Sequence, residues 1–121
     1  MAIRVFVVNG HDEIRRLFMA WLEREEGIQV VGDVRDAAEA IDALGKMSVD
    51  VLLLDIDVSD RQAIAAIRTA REAFPKLRIV GMTWDPLPDR VVMMMDAGVR
   101  AVFDKASKLD GLVRVIAKCF E

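Results

Sequence analysis

The run Val51-Leu52-Leu53-Leu54 ends in a carboxylate, Asp55. Four consecutive large apolar residues fit a strand buried on both faces, as in a parallel sheet covered by helices. No other segment constrains the fold as tightly, because parallel neighbours must be joined by crossovers long enough to hold a helix. In such sheets ligands bind just beyond the carboxyl ends of the strands. A lone aspartate at that point most often caps a helix or closes a turn. Here the other strand ends carry Asn9 and Gly10, Thr83 and Lys105, and that company changes the reading.

Strand-like and helix-like segments alternate from end to end. Ile3 to Val8 is rich in β-formers and stops at Asn9-Gly10, a turn-favouring pair. From Asp12 to about Glu25, Ile14, Leu17, Phe18, Trp21 and Leu22 recur at helical spacing, with Gly27 as the stop. Ile28 to Val34 reads as the second strand, and Ala37 to about Met47 as the second helix, with Ile41 and Leu44 inward. After the third strand, Asp60 is placed to cap a helix in which Ile64, Ile67 and Phe74 share a face before Pro75. Arg78 to Met82 is the fourth strand. Pro86 and Pro88 break the chain, and a fourth helix covers roughly Asp89 to Ala97 before Gly98. Ala101 to Phe103 forms a short fifth strand. The last helix, about Lys108 to Phe120, carries Leu109, Leu112, Val113, Ile116 and Phe120 on one stripe.

Five βα units with short loops predict an α/β three-layer sandwich around a five-stranded parallel sheet. Right-handed crossovers and a flavodoxin-like order of 2-1-3-4-5 bring the first and third strands side by side. The length of 121 residues suits one domain over residues 1–121, with no repeat, linker or second domain. A net charge of −3 argues against direct nucleic-acid binding, which leaves a basic footprint. Cys119 is the single cysteine, so no internal disulfide is possible; it falls on the apolar face of the last helix as a structural thiol. No apolar run reaches membrane-span length, and Met1-Ala2-Ile3-Arg4 opens into a strand rather than a signal peptide. The expectation is a cytoplasmic domain without membrane attachment.

With that strand order, Asn9, Gly10, Asp55, Thr83 and Lys105 converge on one edge of the sheet. A carboxylate, a hydroxyl and an ammonium group suit the formation of an acyl phosphate. The carboxylate attacks phosphorus, and the hydroxyl and ammonium then hold the phosphoryl oxygens.

Over essentially its whole length the chain resembles the response-regulator receiver domain of two-component signalling. The marks are Asp55 after an apolar third strand, Thr83 after the fourth and Lys105 after the fifth. His11 with Arg15, and Lys105-Ala106-Ser107, are similar to receivers that precede a helix-turn-helix DNA-binding domain. The resemblance implies a phosphorelay module rather than an enzyme. Asp55 is then the phosphoacceptor, Thr83 the switch hydroxyl and Lys105 the phosphoryl-binding lysine. It also implies a sensor histidine kinase or another signalling protein as partner, and it allows a homodimer.

The departures concern the cation. The family carries two acidic residues after its first strand, and they hold Mg²⁺; here Asn9 and Gly10 stand there. The remaining candidate ligands are Asp55 and Asp57, the latter through its backbone carbonyl. Loss of both carboxylates predicts severely weakened Mg²⁺ binding and a resting cluster close to neutral. The family's usual Met-Pro pair is replaced by Val58-Ser59, and the usual small residue after the switch hydroxyl by Trp84. Trp84 reads either as a gate over Asp55 or as a solvent-facing aromatic for a partner. Phe103, next to Val102 at the position of the switch aromatic, reads as core. Met93-Met94-Met95 reads mostly as core filling with one side open as an adaptable interface, His11 as a surface residue near the helix start, and Asp12 as a substitute for a lost carboxylate only if the loop were rearranged.

Two functions from different classes follow. One is a receiver phosphorylated on Asp55 that switches a partner-binding surface. The other is a pseudo-receiver that binds a protein partner without phosphorylation and keeps Asp55 and Lys105 as a structural ion pair. A nucleotide- or flavin-binding protein fits poorly, because the loop after the first strand lacks a glycine-rich phosphate cradle.

Overall fold

Strand Val51–Asp55 (β3) lies at the centre of the sheet, paired in parallel with β1 (Ile3–Val8) on one side and β4 (Arg78–Thr83) on the other. β2 (Ile28–Val34) flanks β1 and β5 (Ala101–Asp104) flanks β4, so the order is β2-β1-β3-β4-β5, all parallel. This is the flavodoxin-like sheet expected from the sequence. The computed structural model describes residues 2–56 and 61–121; Asp57, Val58, Ser59 and the expected cap Asp60 lie outside the described residues.

Side-chain alternation divides the sheet between two cores. Val5, Val7, Leu53, Met82 and Phe103 pack with Phe18 and Leu22 of α1 (Asp12–Glu23) and with Leu112 and Ile116 of α5 (Asp110–Lys118). Phe6, Val8, Leu52, Leu54 and Ile79 pack on the opposite face. There they meet Ala40 and Leu44 of α2 (Ala37–Leu44), Ile67 of α3 (Arg61–Ala73) and Met94 of α4 (Pro88–Ala97). Val51, Leu52, Leu53 and Leu54 are all buried, as a central strand of a covered sheet requires. Each such side chain contributes about 1.5–3 kcal/mol by leaving water.

Several helix ends differ from the periodic pattern. α2 ends at Leu44 because Gly45 follows, and Met47 is exposed. α5 starts two residues later than expected and ends before Cys119, and Phe120, expected on its buried stripe, is instead exposed, with the Arg78 guanidinium 4.0 Å above its ring. Pro88 does not merely interrupt the chain. It opens α4 within the first turn, where its missing N–H costs nothing. Leu17 does not join the core: it is 63% exposed, and Arg15, Phe18 and Leu22 form the buried stripe. Of the three consecutive methionines only Met94 is core, and Met93 and Met95 are exposed. Phe103 is buried as expected, as is Cys119, whose thiol burial pushes up from its ordinary value.

Two glycines matter to the site's frame. Gly98 takes φ +131°, a conformation L side chains rarely adopt, and it ends α4. At Gly81 a Cβ would stand 2.8 Å from Ile56 Cδ1. Its absence lets Ile56, the residue after Asp55, seat against β4, where the Ile56 N–H donates to Met82 O at 2.8 Å. No helix among the described residues is long and apolar enough to cross a membrane.

Candidate functional site

The carboxyl ends of β1, β3, β4 and β5 meet at one edge, and strand register sets which side chains can touch. Val8 pairs with Leu54, which puts Asn9 beside Asp55; Thr83 pairs with Asp104, one residue before Lys105. The Lys105 N–H extends the ladder past β5 by donating to Thr83 O at 2.9 Å. Two-residue alternation then turns Asp55 and Lys105 to the face of Leu53 and Phe103.

The Lys105 ammonium donates directly to Asp55 Oδ1, as the strand-end placement predicted. Its side chain is 6% exposed and that of Asp55 24%. A cation so deeply seated persists because a carboxylate meets it. The Lys105 Nζ also lies 5.1 Å from the centroid of the Trp84 ring, within cation–π range. Trp84 is 63% exposed, so one aromatic both faces solvent and borders the ion pair.

Thr83 is buried, and its Oγ1 accepts from the Asp85 N–H at 3.1 Å. The hydroxyl keeps its own hydrogen to donate. Asp85 is in turn paired with Arg90 of α4, which fastens the loop after β4 to the helix that follows. The same i to i+2 turn recurs at two more strand ends: Asn9 Oδ1 accepts from His11 N–H at 2.8 Å, and Asp104 Oδ1 from Ala106 N–H at 2.9 Å.

Asn9 is 2% exposed. Its Oδ1 is taken by His11, whereas its Nδ2 is buried without a hydrogen-bond partner among the described residues. Gly10 is exposed, and His11 is an exposed residue at the start of α1. A cavity of about 510 Å³ opens here, lined by Asn9, Gly10, Arg35 and Asp36 together with Leu54 and Asp55.

Arg15 forms a network not anticipated from the sequence. Its Nε donates to Asp33 Oδ2 at 2.7 Å, and its Nη1 reaches Asn9 O at 2.8 Å and Asp12 Oδ1 at 2.9 Å. Arg35 Nε is 3.5 Å from the same Asp12 oxygen. The hydrogen bond to Asp33 is the chief reason the guanidinium holds its proton even more firmly than usual. Arg15, followed by Arg35, holds the Asp12 carboxyl below its ordinary range. The signal was present: Arg15 sits at the helical spacing of Phe18 and Leu22, and a cation on a buried stripe needs buried partners.

These residues do not suit a divalent cation. Among the described residues no three or more His, Cys, Asp or Glu side chains gather as ligands. Asn9 offers a neutral amide, Gly10 has no side chain, and Asp55 is engaged with Lys105. Asp12 is turned to two arginines, so it does not replace the lost carboxylates. Asp57, the other expected ligand, lies outside the described residues.

The response regulator receiver domain family matches residues 5–117. The chain belongs to that family. This receiver domain is 29% identical over 121 residues to the response regulator GacA of Pseudomonas aeruginosa, covering 98% of this chain and 55% of that protein. It is 25% identical over 121 residues to the response regulator protein VraR of Staphylococcus epidermidis, covering 100% of this chain and 58% of that protein. The receiver thus spans a little over half the length of these relatives. Its fold matches the isolated REC domain of RcsB from Salmonella enterica serovar Typhimurium with a TM-score of 0.85 at 22% identity. That match covers 97% of this chain and 87% of the RcsB chain, whose structure was determined in the presence of phosphomimetic BeF3⁻. Receivers of this family are signalling modules, which accords with phosphorelay signalling.

Proposed function

We propose that this receiver accepts a phosphoryl group on Asp55 and thereby switches a surface read by a signalling partner. The observation that carries the reading is the direct pairing of Lys105 with Asp55 at neighbouring strand ends. In the resting state the ammonium neutralises the nucleophile. After transfer it can swing to a phosphoryl oxygen, while Thr83, whose hydroxyl proton is free to donate, takes another. Phosphoryl transfer asks for positioning and charge neutralisation more than for covalent chemistry from the protein, and in this reading the domain is a signalling module rather than an enzyme.

Receiver domains generally use Mg²⁺ for this step. In this chain the acidic pair is absent, so we assign Mg²⁺ at most a weak role at Asp55 and Asp57. The partner is a sensor histidine kinase or another protein of a two-component pathway in the cytoplasm, and a homodimer is compatible with the family. Residues 1–121 act as one receiver unit in this reading.

The test is intact-mass measurement after incubation with phosphoramidate or acetyl phosphate, comparing wild type with Asp55→Asn. Addition of one phosphoryl group to wild type alone is the expected result. Absence of label in wild type under every metal condition would leave the phosphorylation-independent pseudo-receiver, with Asp55 and Lys105 as a structural pair.

A further inference from the structure

We propose that Asn9 takes the place of the missing cation: its buried amide donates through Nδ2 to an oxygen of the phosphoryl group on Asp55, so that the acyl phosphate forms and is held without a divalent metal. The inference rests on Asp55 being the phosphoacceptor.

Four observations lead to it. The first is orientation. The N–H of His11 donates to Asn9 Oδ1 at 2.8 Å, which decides which end of the amide is oxygen and leaves Nδ2 at the other end. The second is that Nδ2 is buried with no partner among the described residues. A buried donor left unmade is costly, and such groups in native folds call for a functional account. The third is proximity. β1 and β3 are hydrogen-bonded neighbours with Val8 opposite Leu54, so the next residues, Asn9 and Asp55, stand about one strand spacing (~4.8 Å) apart. Both line the same cavity. The fourth is that, among the described residues, the carboxylates around Asn9 are already engaged: Asp36 Oδ1 accepts from the Glu39 N–H at the start of α2. Asp12 and Asp33 are both bound to Arg15, which in turn grips the Asn9 carbonyl and fixes the amide's base.

The chemistry follows from charge. Amide hydrogens carry partial positive charge, so the group that repels Mg²⁺ from this corner attracts an anionic oxygen. Nδ2 is closed to solvent in the resting state; the acceptor reaches it as a group growing on Asp55 from the adjacent strand. When phosphoramidate is the donor, an Asp55 carboxylate oxygen attacks phosphorus, the P–N bond breaks, and nitrogen departs as ammonia with the protons it already carries. Asn9 exchanges no proton. It is a positioning and stabilising donor, with Lys105 neutralising a second oxygen.

The experiment labels the full chain with phosphoramidate in EDTA and in Mg²⁺, and reads intact mass and the modified peptide over time. Wild type, Asn9→Asp and Asn9→Ala are compared, with circular dichroism to confirm folding. Wild type is expected to label at Asp55 in EDTA, with little gain from Mg²⁺. Asn9→Ala should label in EDTA about tenfold more slowly or worse, the loss of one charge-assisted hydrogen bond. Asn9→Asp keeps the side-chain shape but loses the donor, so its EDTA labelling should fall as well and return when Mg²⁺ is added. A second readout is independent of labelling: Mg²⁺ titration of tryptophan fluorescence should show binding to Asn9→Asp and none to wild type. Equal EDTA rates for wild type and Asn9→Ala, or wild-type labelling only with Mg²⁺, overturns the role of Asn9 while leaving Asp55 as phosphoacceptor. No label on Asp55 in any of the three proteins overturns both.

Discussion

Trp84 and Lys105 are joined across two neighbouring strand ends, with the indole centroid 5.1 Å from an ammonium that is simultaneously bonded to Asp55. The aromatic therefore borders the nucleophile's counter-ion. Any movement of Lys105 from Asp55 to a phosphoryl oxygen must change the environment of the indole.

That relationship predicts the behaviour of Trp84→Ala. Removing the ring opens the solvent side of the ion pair and takes away a cation–π contact worth about 0.5–2 kcal/mol. Labelling of Asp55 by small phosphoryl donors should speed up several-fold, while stability falls by no more than that amount. Time courses of intact mass give the rate, and urea denaturation gives the stability. Identical labelling rates in the two proteins would exclude a gating role and leave Trp84 as a surface aromatic for a partner.

The pair beneath it supports a prediction about stability. Asp55→Ala strands an ammonium that is only 6% exposed, and breaking a buried pair on one side is expensive. Because a quarter of Asp55 remains exposed, the loss should be about 2–3 kcal/mol rather than the full penalty of a buried pair. The double variant Asp55→Leu, Lys105→Met should recover much of it, since neither partner is then left charged and alone. A double-mutant cycle in urea checks this. Additive losses would show that the two side chains do not depend on each other.

The strand ends were readable from the sequence because apolar runs locate buried strands and the residues at their ends follow directly. Asp55 and Lys105 are thus placed together by the sequence pattern alone. Helix ends were less legible. The apolar stripe through Phe120 continues past the last helical residue, and Leu17 falls at helical spacing yet points outward. Periodicity alone does not decide which arc of a helix a neighbouring sheet covers. The Arg15 network escaped because its partner Asp33 lies on β2, and their meeting depends on the β1–β2 register, which breaks between Val5 and Phe6. The turn at Asn9-Gly10 was legible as a turn-favouring pair, but which end of the Asn9 amide faces the site is decided by the His11 N–H that its Oδ1 accepts.

The Arg15 network has a pH signature. The Asp12 carboxyl is held below its usual value of 3.8, first by the hydrogen bond from Arg15 and next by the charge of Arg35. A depressed folded value means that Asp12 contributes stability above pH 3.8, and that the contribution is lost as pH falls through the lower folded value. Asp12→Asn should therefore lower the urea midpoint near neutrality and narrow its difference from wild type on the acid side. Midpoints measured from pH 7 downward test the sign; a gap that widens in acid would contradict it. Arg15→Lys should also lower the neutral midpoint, because one ammonium cannot reproduce the guanidinium's fork to Asp33, Asp12 and the Asn9 carbonyl.

Restoring the acidic pair is the most demanding test of how far this site has moved from a metal-dependent one. Among the described residues an added Cβ at Gly10 meets the Arg35 carbonyl alone, at 3.5 Å, an ordinary contact, and φ is not positive there, so an aspartate fits against these neighbours. Asn9→Asp is isosteric. Together with Asp55, the double variant Asn9→Asp, Gly10→Asp gathers three carboxylates around a single ammonium, and their repulsion raises the cost of leaving all three ionised. Without a cation the variant should therefore be less stable than wild type, by about 1–2 kcal/mol at neutral pH. Added Mg²⁺ should recover that loss, because any ligand that binds only the folded state stabilises it. Labelling of Asp55 should become dependent on Mg²⁺ in the same concentration range. Urea midpoints and intact-mass time courses, each measured across a Mg²⁺ series, provide the two curves. Coincident midpoints of stabilisation and labelling identify one ion at the strand ends. Stabilisation without labelling would mean that the ion binds but Asp55 no longer meets a phosphoryl donor in line. No response in either curve would mean that the surrounding frame, and not only the two lost carboxylates, has turned away from metal.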